Sequence, residues 1–261
     1  MFSIMNIYQH FRPEEREYID QVLHWKNYVE TQHTPKLTDF LDPREQHILK
    51  MLIGENGEVR YQLFGGSQDV ERKRAYIFPE YLTAKENDFQ ICLFEIDYPT
   101  KFVTIEHRQV LGTLMSLGLR RGKFGDILKK DGQIQFFSAK EISDYIKSNV
   151  ESIGRAGVKL VETNIANAIA AKELWEEQDL TVSSLRLDTV ISGIYQVSRQ
   201  KSLLFIQQGL VKVNWTLIEN PSFICEAGDM ISVRGFGRAK MIGIDGKTKK
   251  EKWRINFEKQ K

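Results

Sequence analysis

Residues 184–209 carry the signals of two helices in close succession, joined by only a few residues. Hydrophobic residues recur at helical spacing from Leu187 to Ile194, which predicts a first helix with one apolar face. Ser198 is suited to cap the start of a second helix, because its side chain can accept a hydrogen bond from a free backbone N–H. Gly209 is suited to end that helix, since glycine readily adopts the left-handed conformation found there.

Two strand patterns follow these helices. Hydrophobic and polar residues alternate in segments 210–214 and 230–234, as they do in strands with one buried face. Between them, Asn220-Pro221 and Gly228-Asp229 are typical of turns. Together with the helices, these strands predict a small α+β domain over residues 181–261.

The order of elements predicts a second domain over residues 81–163. Asp131-Gly132 is a strong hairpin turn between two of its strands, and Ser138 with Glu141 predicts a capping box at the start of its second helix. The predicted strands are 89–97, 126–129, 133–137 and 158–162, and the predicted helices are 106–117 and 138–150. This order is that of a ferredoxin-like (RRM-like) βαββαβ domain.

The remaining segments lie on either side of this domain. Residues 1–80 are predicted to form an N-terminal helical and hairpin region, in which Asp42 caps the second helix and Gly65-Gly66-Ser67 turns the hairpin. Residues 164–180 contain alanines followed by acidic residues, which indicate a short helix within a linker. The predicted fold class is therefore α+β throughout.

The two parts of the chain differ in charge. Residues 181–261 hold 14 Lys and Arg against 7 Asp and Glu, a net charge of +7, whereas residues 1–180 hold 23 against 28, a net charge of −5. A basic block beside an acidic body is the electrostatic pattern of a nucleic-acid-binding module. The lysines of segment 247–252 also suit a solvated tail, but the arginines upstream lie within patterned elements.

Basic and polar residues of the C-terminal domain are expected to bind RNA. Arg199 lies in the first turn of a helix, where free N–H groups and the positive end of the helix dipole attract phosphate. An arginine side chain can also bond two phosphate oxygens at once. The predicted RNA-binding residues are Arg186, Ser198, Arg199, Lys201, Lys212, Asn214, Arg234, Arg238 and Lys240.

The middle domain is expected to contact RNA through a basic loop rather than through base stacking. RRM domains stack bases on aromatic side chains of their two central strands. Residues 132–137 depart from the usual basic, glycine and aromatic pattern and leave at most Phe137 for stacking. The predicted secondary contact is the glycine-containing loop that carries Arg120, Arg121 and Lys123.

The C-terminal motifs resemble an S4 domain, an RNA-binding family named for a ribosomal protein. The resemblance rests on Arg186-Leu187-Asp188, Ser198-Arg199, Ile206, Gly209 to Asn214, Pro221 and Gly228 to Gly235. With Arg-Gly-Phe-Gly-Arg at residues 234–238, the chain length and the βαββαβ segment, the resemblance extends over nearly the whole chain to the bacterial YlmH family.

The resemblance implies a non-enzymatic, ribosome-associated RNA-binding protein whose genes are associated with cell-division clusters. It implies structured RNA (rRNA, tRNA) and the large ribosomal subunit as partners. It also implies a role in ribosome quality control, on large subunits that carry a stalled peptidyl-tRNA. We expect a monomer with no metal and no cofactor.

Two other functions compete with this interpretation. Residues 186–193 resemble the motif of pseudouridine synthases whose aspartate is catalytic, but Ile191 stands where that motif has threonine, and too few residues follow for a catalytic domain. Asp188 is therefore expected to be structural and to form an ion pair near a helix start. The third possibility is a scaffold that binds a division protein through the acidic N-terminal part, with Trp25, Tyr18 and Tyr28 on one helix.

The sequence also bears on compartment. No hydrophobic run reaches the roughly 18 residues that span a bilayer, and the N-terminal residues show no secretory signal. We therefore expect a cytoplasmic protein with no membrane contact. Cys92 and Cys225 lie far apart without metal-ligand spacing and are expected to be buried thiols.

Overall fold

The computed structural model describes Tyr8 and residues 11–55, 57–68, 70–170 and 175–260. The chain divides into two compact units, residues 1–171 and residues 172–261. The N-terminal region and the middle domain both lie in the first unit.

The N-terminal region packs two helices on a three-stranded antiparallel sheet. Its elements are α1 (Arg16–Gln32), β1 (Lys36–Leu41), α2 (Pro43–Ile53), β2 (Val59–Phe64) and β3 (Lys73–Pro79), with strand order β1-β3-β2. The predicted cap of α2 is confirmed, because the Asp42 carboxylate accepts a hydrogen bond from the Glu45 N–H at 2.9 Å. In return, the Glu45 carboxylate accepts a hydrogen bond from the Asp42 N–H at 2.7 Å. The predicted hairpin corresponds to β2 and β3.

Strand β1 was absent from the sequence prediction. Its pairing with β3 shifts register between Leu37 and Phe40, so hydrophobic and polar residues do not alternate cleanly. At the irregularity the hydroxyl of buried Thr38 accepts the backbone N–H of Ala75 at 2.9 Å. A side chain therefore satisfies a backbone group there, and sequence periodicity gives no sign of this.

The middle domain has the predicted ferredoxin-like order. Its elements are β4 (Ile91–Asp97), α3 (His107–Ser116), β5 (Phe124–Lys130), β6 (Gln133–Ala139), α4 (Ser143–Asn149), the short hairpin β7 (Ser152–Ile153) and β8 (Ala156–Gly157), and β9 (Lys159–Thr163). The four-stranded sheet runs β5-β6-β4-β9 with antiparallel neighbours, so β4 and β6 are central. The Asp131-Gly132 hairpin is confirmed, and both residues have positive φ.

The predicted capping role of Ser138 is wrong. Strand β6 continues to Ala139, and Ser138 is buried within it, paired with Cys92 and Phe124. The Glu141 carboxylate instead pairs with Lys123 at 3.0 Å. Serine suits both a buried strand and a helix cap, so the sequence signal was ambiguous.

The second unit packs two helices on one face of a six-stranded antiparallel sheet. Its elements are β10 (Trp175–Val182), α5 (Leu187–Ile194), α6 (Arg199–Gln207), β11 (Val211–Val213), β12 (Thr216–Leu217), β13 (Met230–Val233), β14 (Gly237–Lys247) and β15 (Trp253–Gln260). The strand order is β10-β15-β14-β13-β11-β12. Residues of α5 and α6 share one core with the inward-facing residues of the strands.

The predicted linker is partly wrong. Residues 175–180 belong to β10, which pairs with β15 along its full length from Trp175 to Val182. The alanine-rich helix expected before them is also wrong, since the described part of that segment holds only a single 3-10 turn at Ile165–Asn167. Segment 247–252, which also suited a solvated tail, contains the turn of the long hairpin formed by β14 and β15.

The structure also bears on membrane-spanning helices and on the two cysteines. In the ranges given above, no helix is both long enough and apolar enough to cross a membrane. Cys92 and Cys225 are buried, as predicted, and neither forms a disulfide.

Candidate nucleic-acid interface

Two arginines and one aspartate join the starts of α5 and α6. Asp188 is only 1% exposed, and its carboxylate accepts bonds from Arg186 Nε at 3.1 Å and from Arg199 Nε at 2.9 Å. Burial alone would raise the pKa of Asp188, but the bonds from both arginines outweigh burial and hold this pKa below its usual value. The ionised carboxylate therefore holds both guanidinium groups, and the predicted ion pair of Asp188 near a helix start is confirmed.

The local sequence places both arginines at helix starts. Arg186 is the N-cap residue of α5, and Ser198 caps α6 by accepting the Lys201 N–H at 3.2 Å, as predicted. The positive ends of both helix dipoles lie at these starts. At α5 the first N–H groups are already bonded, because those of Leu187 and Asp188 donate to the carbonyls of Phe223 and Pro221 at 2.8 and 3.3 Å. The side chains of Arg186 and Arg199 are 35% and 56% exposed, so each can offer donors to a phosphate outside the protein.

The turn between β13 and β14 lies against α6. Phe236 packs on Phe205 with ring centroids 4.9 Å apart, and the Lys201 ammonium lies 5.6 Å from the Phe236 ring centroid. Positive φ at Gly235 shapes this turn, and Arg234 before it is exposed. The Arg234 N–H donates to the Leu210 carbonyl just after α6, at 2.9 Å. We group the residues of the two helix starts with the exposed Arg234 of this turn and call them the helix-end surface: Arg186, Ser198, Arg199, Lys201 and Arg234.

Three other predicted residues lie on the opposite face of the sheet. Lys212, Arg238 and Lys240 alternate with buried residues that pack under the helices, so their side chains point away from α5 and α6. Strand pairing aligns Lys212 and Arg238 in one row across β11, β13 and β14. Arg238 donates to Gln260 at 3.0 Å, and its guanidinium carbon lies 5.7 Å from the Trp175 ring centroid. The structure does not bring these residues together with the helix-end surface.

Asn214 was predicted to point outward from a strand, and this prediction is wrong. Its backbone has positive φ just after β11. Its amide nitrogen donates to Asp229 at 2.7 Å, and its amide oxygen accepts the Met230 N–H at 2.9 Å. Asn214 therefore ties two turns together and has little capacity left for RNA.

The predicted secondary contact is largely used inside the protein. Arg121 donates to the carbonyl oxygens of Phe124 and Gly125, and burial together with nearby Arg72 lowers the pKa of Arg121 to about 10. Lys123 pairs with Asp39 at 2.6 Å and with Glu141 at 3.0 Å. Arg120 alone of the three predicted residues is exposed. Sequence could not distinguish these roles, because the internal acceptors come from backbone and from distant strands.

The sheet face on which an RRM would stack bases is covered near Phe137. This ring is fully buried, and a Cβ placed on Gly66 of the N-terminal region would come within 2.3 Å of it. Phe94 and Phe136 lie on the other face, where Lys147 of α4 is 5.5 Å from the Phe94 ring centroid. Phe137 is therefore unavailable for stacking.

The same face is also covered by the segment that follows β9. Gln135 is only 2% exposed, and its amide donates to the Asn167 carbonyl at 3.3 Å and accepts the Ile169 N–H at 2.9 Å. Ile165 and Ala168 pack on the core beside these bonds. A glutamine in the middle of β6 thus holds a backbone strap against the sheet.

Comparisons with known proteins agree with this architecture. Residues 84–167 match a family described as "Putative RNA-binding domain in YlmH", and residues 185–231 match the S4 domain. The chain is 47% identical over 256 residues to "Ribosome-associated protein quality control protein P2" of Bacillus subtilis (strain 168), covering 98% of this chain and 99% of that protein.

Two further matches are more limited. The chain is 34% identical over 79 residues to "Small ribosomal subunit protein uS4" of Anaeromyxobacter sp. (strain Fw109-5), covering 30% of this chain and 38% of that protein. The solved structure "Cell division protein ylmH from Streptococcus pneumoniae" superposes with a TM-score of 0.54 at 32% identity, covering 62% of this chain and 98% of that chain. Taken with the βαββαβ domain, the helix-end surface and the full-length match, these findings show that the chain belongs to the YlmH family.

Proposed function

We propose that this protein is a non-enzymatic RNA-binding protein that recognises structured rRNA, tRNA or both on the ribosome. The observation that carries the proposal is the helix-end surface. There, Asp188 orients Arg186 and Arg199 beside two helix starts while both guanidinium groups stay partly exposed. Such an arrangement suits phosphate, because fixed charge-assisted donors lie beside the positive end of a helix dipole.

The finer parts of the proposal rest on similarity. The relative that is 47% identical is named as ribosome-associated and as a quality-control protein. We propose the same association here, with the large subunit carrying a stalled peptidyl-tRNA as the target and the protein acting as a cytoplasmic monomer. In the C-terminal unit, the proposed RNA contacts are the helix-end surface and three residues on the opposite face of the sheet, Lys212, Arg238 and Lys240. In the first unit, the proposed contact is Arg120.

The state of Asp188 argues against the pseudouridine synthase alternative. A catalytic aspartate must reach its substrate, whereas this carboxylate is buried and holds two arginines. Freeing it would break both ion pairs. Asp188 therefore supports RNA binding by organising donors rather than by reacting.

Sedimentation of the full-length protein through ribosome gradients tests the proposal. We expect the protein to move with large subunits, and crosslinking followed by sequencing of the bound RNA should recover large-subunit rRNA, tRNA or both. Movement with small subunits only, or recovery of no specific RNA, would contradict the proposed target. Association with a division protein that survives RNase treatment, without any RNA crosslink, would favour the scaffold function instead.

A further inference from the structure

Phe102 has the most exposed side chain among the large hydrophobic residues that the structure describes, at 87%. It lies in a tight turn after β4, in which the N–H groups of Phe102 and Val103 both donate to the Pro99 carbonyl, at 3.0 and 3.2 Å. Val103 packs on the core of the first unit. The turn is therefore anchored, and it holds the Phe102 ring out into solvent.

This turn lies beside the β5–β6 hairpin. The Tyr98 hydroxyl donates to the Gly132 carbonyl at 2.7 Å, which links the start of the turn to the tip of the hairpin. Lys101 beside Phe102 and Lys130 in the hairpin are both exposed. Of the other charges at this end, Lys129 pairs with Glu106 at 2.9 Å, and Asp131 is exposed in the hairpin turn. We call Lys101, Phe102 and Lys130 the Phe102 tip.

We infer that the Phe102 tip binds an unpaired nucleotide of the RNA, with the base stacked on Phe102 and the neighbouring phosphates near Lys101 and Lys130. The inference rests on the proposed function and deepens it by adding to Arg120 a second contact made by the first unit. Every base has a face that can stack on an aromatic ring, and cations beside the ring hold the backbone. The usual stacking face of this fold is occupied by Gly66 and by the strap over Gln135. Of the exposed aromatic side chains of this unit that the structure describes, Phe102 is the most open to a base, at 87% exposed against 67% for Tyr81 and 46% for Tyr145.

Affinity of the full-length protein for two RNA probes tests this inference. One probe is a stem–loop with an unpaired uridine-rich loop, and the other is a blunt duplex of the same stem. Loss of one stacked base should weaken binding of Phe102→Ala to the stem–loop by about tenfold and leave binding to the duplex unchanged. Phe102→Trp should retain stem–loop affinity. Tyr81→Ala is the matched control, because Tyr81 is 67% exposed in the same unit.

Ultraviolet crosslinking gives an independent measurement on the wild-type protein. The tryptic peptide from Phe102 to Arg108 should carry a crosslinked uridine from the stem–loop. If wild type binds the stem–loop but Phe102→Ala binds it equally well and this peptide carries no crosslink, the inference fails while the proposed function stands. If wild type binds neither probe nor ribosomal RNA, the proposed function fails as well. If Phe102→Ala weakens ribosome association but not affinity for either RNA, the tip binds a ribosomal protein and the inference is overturned.

Discussion

Replacing both Arg186 and Arg199 with alanine is expected to lower the free energy of unfolding of the C-terminal unit by about 3–5 kcal/mol, because it leaves a buried carboxylate without a charged partner and with only the Thr189 hydroxyl, at 3.3 Å, as a side-chain donor. Asp188 is 1% exposed, and both arginines donate to it. Each single variant keeps one arginine on the carboxylate and should lose much less. Urea denaturation followed by circular dichroism measures the difference.

The pH dependence of this double variant should have the opposite sign to that of the wild type. In the wild type the pKa of Asp188 is held below its usual value, so its contribution to stability is present above the pKa of an unfolded aspartate and is lost as pH falls through the lower folded-state pKa. Without the arginines, burial raises the pKa of Asp188 above the unfolded value. The variant should therefore regain stability relative to the wild type as pH falls through the raised pKa.

A third substitution separates stability from binding. Adding Asp188→Asn to the double variant removes the buried charge and should restore part of the lost stability without restoring affinity for RNA. If the double variant is as stable as the wild type, Asp188 is solvated in solution and the helix-end surface is not organised as described.

Gly66→Ala is expected to lower the free energy of unfolding of the first unit by about 2–5 kcal/mol, since positive φ strains a residue with a Cβ and the clash with Phe137 adds to that strain. The φ of Gly66 is 99°, and its added Cβ would lie 2.3 Å from the Phe137 ring. The ring is fully buried and cannot move aside easily. Chemical denaturation of the variant measures the loss.

Gly118→Ala is the matched control for this change. Gly118 has φ of 75°, but an added Cβ there would meet no atom within 4 Å. Its loss should therefore be only the backbone strain, about 1–2 kcal/mol. Equal losses in the two variants would mean that the N-terminal region does not cover the sheet near Phe137, and the stacking face would be open.

The parts of the fold that the sequence predicted correctly depend on local signals. The caps at Asp42 and Ser198 and the turn at Asp131-Gly132 each act within a few residues, and all three form as expected. The ferredoxin-like strand order followed because the order of elements along the chain restricts how the strands can pair. The S4 motif placed Arg186 and Arg199 correctly at helix starts for the same local reason.

The parts that the sequence did not predict depend on contacts between distant segments. Strand β10 carries Glu176, Glu177 and Asp179 and resembles a polar linker, yet it is an edge strand whose charges suit an exposed edge. The acidic residues of β10 also lower the net charge of the second unit. Residues 172–261 hold 15 basic and 11 acidic residues, a net charge of +4, whereas residues 181–261 alone carry +7. A fragment that begins at Thr181 would lose most of β10, so binding is best measured on the full chain.

Site residues divide in the same way. Arg120 and Arg121 are adjacent and chemically identical, yet only Arg121 is directed at backbone carbonyls inside the fold. Asn214 also resembled an exposed strand residue, and only the position of Asp229 reveals its structural role. Arg238 contacts Trp175 of β10 and Gln260 of β15. The sequence analysis predicted neither of these two strands.

Salt titration of RNA affinity measures whether the helix-end surface binds RNA phosphates. The full-length protein should bind tRNA or large-subunit rRNA fragments with an affinity that falls steeply with salt, with a log–log slope of about 0.7–0.9 per phosphate contact. Arg234→Ala should weaken binding by about tenfold and reduce the slope by about one contact, with no change in melting temperature. Arg155→Ala, which removes an exposed arginine from the first unit, should change neither. Affinity that does not depend on salt, or an Arg234→Ala variant that binds like the wild type, would contradict the account.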